Sequence, residues 1–286
     1  MKKLILLSFF FLINSFSTSA HPGIGIVMDS EGNVYYTDLT HVWKISPDGE
    51  RTIAVHNVHT HELHLDERGN LYGEHEWYEG EATDKWGNYV WCLSKDGVLE
   101  KIIPDVEGFL DNNTLVRDNQ NNSYWIGHSE TSESLMKTDV NGNEVKLTHH
   151  EFEDIRWLHY SKSNDNVYVV DNLSIKKVDQ QGNMTLVAEN LKEKKKVFQR
   201  VADRHYVFGL WTDNDQNLYV ALYGAKKVKK ISPSGKVSTV FKSPLGWSPC
   251  GGMMADDGTL WIMEFSKRNK TRVRAIRPDG ENQVFN

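Results

Sequence analysis

The stretch Asp29-Ser30-Glu31-Gly32-Asn33-Val34-Tyr35 decides how this chain folds, because variants of it recur five more times. Each copy has an acidic or amide residue, a short turn and then an alternating run that includes an aromatic residue. The other copies lie at Asp66–Tyr72, Asp118–Tyr124, Asn164–Tyr168, Asp213–Tyr219 and Asp256–Trp261. Gly and Asn tolerate positive φ, so the pattern predicts a tight turn between two antiparallel strands.

A second turn pattern, built around a glycine, follows each copy. Its six glycines are spaced 40 to 53 residues apart, at Gly49, Gly97, Gly142, Gly182, Gly235 and Gly280. A unit of four short strands cannot bury both of its faces without neighbours. The two patterns therefore predict an all-β fold, a six-bladed β-propeller of four-stranded antiparallel blades. A β-sandwich is the alternative, but it has no reason to repeat two turns in step.

Residues 1–20 have the composition of a secretory signal peptide. Lys2 and Lys3 precede an apolar run over 4–16, and small residues lead to Ala20. The run is too short to predict a membrane span. We therefore expect a secreted or periplasmic protein, cleaved after Ala20, in which residues 21–286 form one propeller domain.

Cleavage would also change the charge of the chain. Loss of Lys2 and Lys3 moves the formal net charge from −6 to −8. An acidic exported protein is a poor candidate for nucleic-acid binding, so we expect none. The expected partner is a small molecule or carbohydrate, and we expect a monomer.

The two faces of such a propeller should differ. If the strands of each blade are labelled A to D from the axis outward, the A–B and C–D turns share one face. Both repeated turns are of this kind, whereas irregular stretches such as 75–87 fall on the opposite face. Function usually lies on varied loops of a rigid scaffold. On that irregular face we expect an axial funnel, formed where A strands begin and B strands end.

Ten residues are the candidates for this funnel. His61, His75, His128 and Arg156 are the catalytic candidates, because imidazoles can act as general bases and Arg156 can neutralise a substrate carboxylate. His61, His75 and His128 are also candidate ligands of one divalent metal ion. The predicted ligand-binding residues are Asn113, Trp157, His205, Tyr206, Tyr223 and Glu264. The alternative is that these side chains hydrogen-bond or pack between blades, with no metal.

The stretch His21–Asp38 resembles an NHL repeat, the unit of six-bladed propellers, and 208–219 and 248–261 are similar but looser. Within that superfamily, the gluconolactonase and senescence-marker-protein group implies a metal-dependent lactone or ester hydrolase. Its cation is held at the axis by a Glu, an Asn and an Asp. Asn113 falls near the place of that Asn, but Cys250 stands where the Asp is expected and His21-Pro22 replaces the Glu.

Three functional hypotheses follow. The leading one is an exported propeller that binds a sugar, sugar acid or lactone in its His-rich funnel, with metal-assisted hydrolysis or elimination. The second is a non-catalytic platform for a glycan or protein, gripped by the aromatic loop with Trp77, Tyr78 and Trp86. The third is copper chelation by a free amine on His21 together with a second imidazole.

Overall fold

The computed structural model describes residues 22–108, 115–192 and 205–286. Within these ranges the chain forms six antiparallel sheets, each made of strands that are consecutive in sequence. The predicted signal peptide, His21 and Asn113 lie outside the described residues. No helix in the described ranges is long and apolar enough to cross a bilayer.

The first three sheets come from the N-terminal half. Their strands are β1 (Ile26–Met28), β2 (Val34–Thr37), β3 (Val42–Ile45), β4 (Arg51–Val55), β5 (Leu63–Leu65), β6 (Leu71–Tyr78), β7 (Trp86–Leu93), β8 (Leu99–Glu107), β9 (Ser123–His128), β10 (Glu133–Thr138) and β11 (Glu144–Lys146). The third sheet has three strands in the described residues. A single bridge between Arg117 and Ser123 marks its innermost position.

The last three sheets have four strands each. They are β12 (Ile155–Ser161), β13 (Asn166–Asp171), β14 (Ser174–Val178), β15 (Met184–Ala188), β16 (Leu210–Thr212), β17 (Leu218–Leu222), β18 (Lys227–Ile231), β19 (Val237–Lys242), β20 (Trp247–Met254), β21 (Leu260–Ser266), β22 (Thr271–Ile276) and β23 (Asn282–Phe285). The prediction of an all-β, six-bladed propeller is therefore confirmed.

Side-chain hydrogen bonds explain why the sequence repeats its first turn. In the first blade Asp29 Oδ1 accepts the Asn33 N–H at 2.9 Å, and Asp29 Oδ2 accepts the Asn33 amide and the Tyr35 hydroxyl at 2.8 and 3.2 Å. The fourth turn position has positive φ, as at Gly32, where a residue without Cβ is favoured. The same Asp, Asn and Tyr set recurs at Asp66, Asp118 and Asp213. The Asp, Asn and Tyr of the repeat thus stabilise their own turn by hydrogen bonds.

The core lies between the blades. Five buried apolar clusters join neighbouring sheets. One pair of residues from each cluster, taken from the two sheets that it joins, is Tyr36 with Phe265, Val55 with Trp91, Tyr124 with Tyr160, Val170 with Val220, and Trp211 with Ile262. The first of these pairs joins the first and sixth blades. Every sheet uses consecutive strands, so the ring closes by face packing without an exchanged strand. In the described ranges no such cluster joins blades two and three.

The two faces of the ring differ as predicted. All six C–D turns are five residues long, and the A–B turns are four or five residues long. On the opposite face the D–A connections vary widely, and the B–C turn of blade two covers seven residues, 79–85. We call the first the turn face and the second the loop face.

Candidate metal centre and axial cavity

Two histidines and a glutamate of blade two come together on the loop face. The potential ligand atoms of His59, His61 and Glu76 all lie within 4.8 Å of one another. His59 Nε2 is 3.9 Å from Glu76 Oε2, and His61 Nδ1 is 3.9 Å from Glu76 Oε1. In the described part of the chain this is the one group of three or more such residues with this spacing. We call it the His–Glu cluster.

Backbone pairing between the start of the A strand and the end of the B strand creates the cluster. The Glu76 N–H donates to the His59 carbonyl at 3.0 Å, and the Thr60 hydroxyl donates to the Glu74 carbonyl at 2.6 Å. Successive side chains of a strand point to opposite sides, so Glu74 and Glu76 share one side of β6. His59 and His61 are also two residues apart, with ring centroids 4.8 Å from each other. The residues 59–62 precede β5 and are not themselves a strand.

Glu74 fixes the backbone of the segment around His61 by hydrogen bonds. Its Oε1 accepts the backbone N–H groups of His61 and Glu62, the latter at 3.2 Å, and lies 3.6 Å from His61 Nδ1. Burial acts to lower the pKa of His61, but Glu74, Glu76 and Glu62 outweigh it and the pKa is raised. The carboxylates therefore give this site a negative field, which favours a bound cation.

His59 has the opposite electrostatic character. Burial and the neighbouring His61 lower its pKa, against the smaller effects of Glu76 and Glu74. Its imidazole also hydrogen-bonds to the backbone carbonyl of Leu39 in the first blade. A neutral imidazole whose second nitrogen is held by a carbonyl is the usual state of a metal-ligating histidine.

His75 lies on the other side of the same strand, so the predicted pairing of His61 with His75 is replaced by His61 with Glu76. His75 Nδ1 accepts the His59 N–H at 2.9 Å, and its ring stacks on Tyr89 at 4.7 Å. Burial, with His59 and Lys101, lowers its pKa. His75 thus supports the backbone of His59 and does not belong to the His–Glu cluster.

The other two catalytic candidates lie on different blades. His128 ends β9, its side chain is 71% exposed, and its Nδ1 is 3.1 Å from Glu133 Oε1. Arg156 lies on β12 and its guanidinium pairs with Asp154, with Nε donating to Oδ2 at 2.8 Å. The structure therefore does not bring His128 into one ligand set with His61. Arg156 already has a carboxylate partner.

Several predicted ligand-binding residues form an aromatic cluster between blades four and five. Rings of three of them surround Phe208, with centroids 5.6, 6.2 and 5.1 Å away for Trp157, His205 and Tyr223. Tyr206 is buried nearby against Gly224. Apolar packing of this kind fills space between blades, so their ligand-binding role stays a prediction.

The axial metal site of the gluconolactonase group is not reproduced at the described positions. Cys250, which stands in place of its Asp, is fully buried and its Sγ hydrogen-bonds to the Met263 carbonyl at 3.4 Å. Burial and nearby Glu264 raise the pKa of the Cys250 thiol far above its usual range, so it offers no thiolate. Glu264 is also fully buried, and its Oε2 accepts hydrogen bonds from Arg272 and Arg274 at 2.9 and 3.1 Å. The other carboxylate oxygen of Glu264, Oε1, is buried without a hydrogen-bond partner among the described residues.

An axial cavity of about 550 Å³ runs along the inner strands of all six blades. It is lined by apolar residues such as Leu158 and Met254, together with Glu62, His64, Arg117 and His159. Glu62 follows His61 directly, so this cavity begins beside the His–Glu cluster. Burial and the negative charge of Glu74 raise the pKa of Glu62 to about 7. The cavity has the size of a small-molecule site.

Comparison with known proteins shows the fold. No family profile matches the sequence, and no curated protein matches it. The solved luciferin-regenerating enzyme aligns over 93% of this chain and 92% of its own, with a TM-score of 0.61 and 15% identity. The protein is a six-bladed β-propeller.

Two other solved propellers are similar in the same way. A glucose dehydrogenase aligns over 87% of this chain and 94% of its own, with a TM-score of 0.58 and 11% identity. Regucalcin of Agrobacterium tumefaciens, described as a calcium-binding protein, aligns over 85% and 81%, with a TM-score of 0.54 and 12% identity. At such identities the likeness shows the propeller fold and not the ligand.

Sequence reasoning named one member of the His–Glu cluster, His61, as a site residue, and missed His59 and Glu76 together with the supporting Glu74. The alternation His59-Thr60-His61 facing Glu74-His75-Glu76 was the available signal, because residues of equal parity share one side of a strand. An interpretation based on histidines alone passed over the two carboxylates.

Proposed function

We propose that this propeller holds one divalent transition-metal ion with His59, His61 and Glu76. The ion would serve to bind a small polar ligand, such as a sugar, sugar acid or lactone, and to assist its hydrolysis or elimination. The observation that carries the proposal is the convergence of two imidazoles and a carboxylate within 4.8 Å. The ligand class comes from the resemblance of the repeats to the gluconolactonase group.

The chemistry of the donor set supports a transition metal. Two nitrogens and one oxygen suit zinc, manganese, iron or cobalt better than calcium, which prefers oxygen ligands only. Tetrahedral bonds of 2.0–2.2 Å place neighbouring ligand atoms about 3.4 Å apart. The two 3.9 Å separations run to different oxygens of Glu76 and exceed that spacing, so metal binding requires the side chains to move closer together. Glu76 is partly exposed, so ligand exchange at the ion is open to solvent.

The remaining residues have supporting roles in this proposal. A bound divalent ion would supply Lewis acidity toward an oxygen of the ligand. Glu74 orients His61 through the His61 backbone and ring, and the Leu39 carbonyl orients His59. Glu62 presents a carboxyl group to the axial cavity beside the cluster, where it can exchange a proton with a bound ligand.

Elemental analysis of variants tests the proposal. We expect protein purified without added metal, or equilibrated with one equivalent of zinc, to retain about one ion per chain. His61→Ala and Glu76→Gln should lose it, and hydrolysis of any lactone or ester substrate should be lost with it. His128→Ala is the matched control, since it removes an exposed histidine of another blade. Equal metal content in His61→Ala and the parent protein would refute the site.

A second candidate function rests on the long hairpin formed by β6 and β7. Each of these strands has eight residues, and Tyr78 at the tip is 55% exposed. Trp77 and Trp86 are half-buried, and Trp77 packs against Gly87, so Tyr78 is the aromatic side chain that the tip offers. A glycan platform would bind through it. Loss of glycan binding in Tyr78→Ala with unchanged metal content would favour this function.

We also propose export as the setting of this function. The charged, apolar and small-residue regions of 1–20 support it. Mass spectrometry of the processed protein should give a chain that begins at His21. An unprocessed chain in the cytoplasm would contradict the proposal, and a mature end elsewhere would also exclude copper chelation by His21.

A further inference from the structure

Two cationic side chains lie at the turn-face end of the axial cavity without a carboxylate partner. Neither Arg117 nor Lys162 forms an ion pair with any residue that the structure describes. The one hydrogen bond of the Arg117 guanidinium to a described residue is a long one of 3.4 Å to the Asn121 carbonyl. Both residues line the axial cavity, well away in sequence from the His–Glu cluster.

Two further cavities on the turn face are lined by one or both of these residues. A cavity of about 500 Å³ between blades two and three contains Arg117 and Lys162 in its wall, and one of about 490 Å³ between blades three and four contains Lys162. The first occupies the junction at which the described residues form no apolar cluster. Arg117 and Lys162 therefore line adjoining cavities that the described residues do not fill.

Most carboxylates around this space are engaged by their own turns. Asp66 and Asp118 each accept the side-chain amide of an Asn and the hydroxyl of a Tyr, and Asp29 does the same. Asp165 accepts the Tyr160 hydroxyl at 2.8 Å, and Asp256 accepts the Asn214 amide at 3.1 Å. Glu67, on the exposed rim, and Glu62, at the other end of the axial cavity, complete the set.

The pKa of His64 shows how Arg117 and Lys162 act on a neighbouring side chain of the cavity. His64 lines both the axial cavity and the cavity between blades two and three. Burial, followed by Arg117 and Lys162, lowers its pKa to about 4, and Asp66 opposes this with a smaller effect. At neutral pH the imidazole is uncharged and can donate or accept a hydrogen bond. Among the charged groups that act on this imidazole, Arg117 and Lys162 therefore outweigh Asp66.

An apolar part of the axial wall lies beside these polar groups. Its residues include Leu65, Leu115, Leu158, Leu210 and Met254. A purely inorganic anion would leave that wall in contact with water. A ligand with an anionic head and an apolar body would satisfy both parts of the cavity.

We propose that the turn-face end of the axial cavity is a second binding site, for a small organic acid whose carboxylate pairs with Arg117 and Lys162. Arg117 provides a planar donor pair suited to a carboxylate, Lys162 a second positive charge, and His64 a neutral hydrogen-bond partner. The apolar body of the acid lies along the inner strands. This site uses none of the residues of the His–Glu cluster, so it does not rest on the metal proposal.

Binding of hexanoate, compared with 1-hexanol, tests the site. We expect isothermal titration of the full-length protein to show saturable binding of hexanoate and at least tenfold weaker binding of the uncharged alcohol. Arg117→Gln should weaken hexanoate binding about tenfold or more, because this guanidinium is half-buried, and Lys162→Gln about threefold, because this ammonium is exposed. Lys236→Gln, an exposed lysine of a C–D turn on the same face, is the matched control and should bind as the parent does.

The two proposed sites can be separated in the same experiment. Chelation of metal and the His61→Ala variant should leave hexanoate affinity unchanged. Loss of hexanoate binding in His61→Ala, with normal binding in Arg117→Gln, would overturn the second site. Equal affinity for hexanoate and 1-hexanol, or no binding of hexanoate by the parent protein, would overturn it as well. Circular dichroism of each variant ensures that the fold is retained.

Discussion

At the residue scale, the turn aspartates fix the A–B turn within each of their blades. Asp118 is the most enclosed of the set, at 8% exposure. It accepts the N–H groups of Gln120 and Asn122, the Asn122 side-chain amide and the Tyr124 hydroxyl, all at 2.8–2.9 Å. A buried carboxylate with four donors is stabilised in its charged form, and the pKa of Asp118 is accordingly lowered despite its burial.

Replacing this carboxylate should be costly. We expect Asp118→Ala to lower the free energy of unfolding by about 2–4 kcal/mol, because buried donors lose their acceptor. Asp139→Ala is the matched control: Asp139 makes the same contacts to Asn143 in an exposed C–D turn, and its loss should matter much less. Urea denaturation measures both. Equal losses of stability in the two variants would mean that burial of the Asp118 turn does not increase the cost of removing its carboxylate.

His159 should make the protein sensitive to acid. Burial lowers its pKa to about 4, and its Nε2 lies 3.1 Å from Thr212 Oγ1. The unfolded chain binds a proton near pH 6.5 and the folded one does not, so stability is full above that pH and decreases as the pH falls toward about 4. The free energy of unfolding lost over this pH range is about 1–3 kcal/mol, and the lower figure applies if water enters the axial cavity.

The His159→Gln variant should remove this part of the pH dependence. Denaturation midpoints at several pH values between about 4 and 7 measure the slope for the parent and the variant. His149→Gln, at an exposed position, is the control for loss of one imidazole. Equal changes of slope in the two variants would contradict the assignment to His159.

At the element scale, β6 positions Glu76 of the proposed metal site and Glu74, which supports it. Gly73 lies just before Glu74, and a Cβ at this position would be 2.2 Å from Trp91 Cζ2 and 2.9 Å from Thr60 Cγ2. Trp91 is buried, and its Nε1 donates to the Thr60 hydroxyl and to the Glu74 carbonyl at 3.2 and 3.1 Å. The close approach of strand and indole therefore requires a glycine.

We expect Gly73→Ala to destabilise the protein by about 1–3 kcal/mol and to weaken zinc binding, because Trp91 must shift and β6 moves with it. The matched control is Gly127→Ala on β9, where the new methyl group would meet the flexible side chain of Met136 at 3.0 Å. Calorimetric unfolding and zinc titration give the two quantities. Unchanged zinc affinity in a destabilised Gly73→Ala would show that β6 does not position the cluster.

The element scale also shows how far sequence alone could go. Both repeated turns, Asp29–Tyr35 and the one around Gly49, lie where their spacing predicted, because turn chemistry is local and depends on residues that adjoin in sequence. The metal centre was only partly predictable. Whether His75 or Glu76 faces His61 depends on the register between 59–62 and β6, which hydrogen bonds from Glu76 to His59 and from Thr60 to Glu74 set in the folded chain.

At the scale of the whole molecule, the ring depends on contacts between the first and last blades. A Cβ at Gly251 would be 2.4 Å from the Ile24 carbonyl oxygen, so β20 and the segment before β1 touch backbone to backbone. Cys250 and Phe265 of the sixth blade share an apolar cluster with Tyr36 of the first. The seam thus joins the two ends of the chain.

Opening this seam should affect the entire fold. We expect Gly251→Ala to lower the free energy of unfolding by about 1–3 kcal/mol, since the backbone of Ile24 cannot yield as a flexible side chain would. Unfolding should stay a single transition with an earlier midpoint in urea. A Gly251→Ala variant as stable as the parent would show that the first and sixth blades do not need this approach.

The measurement that tests the metal centre most directly is an anomalous-scattering map from crystals of the protein grown with zinc. The predicted result is one strong peak about 2.0–2.2 Å from nitrogens of His59 and His61 and from an oxygen of Glu76. A strong peak elsewhere, for example between His128 and Glu133, would contradict the proposed site. So would the absence of a peak at the His–Glu cluster when zinc is in excess over the protein in the crystallisation solution.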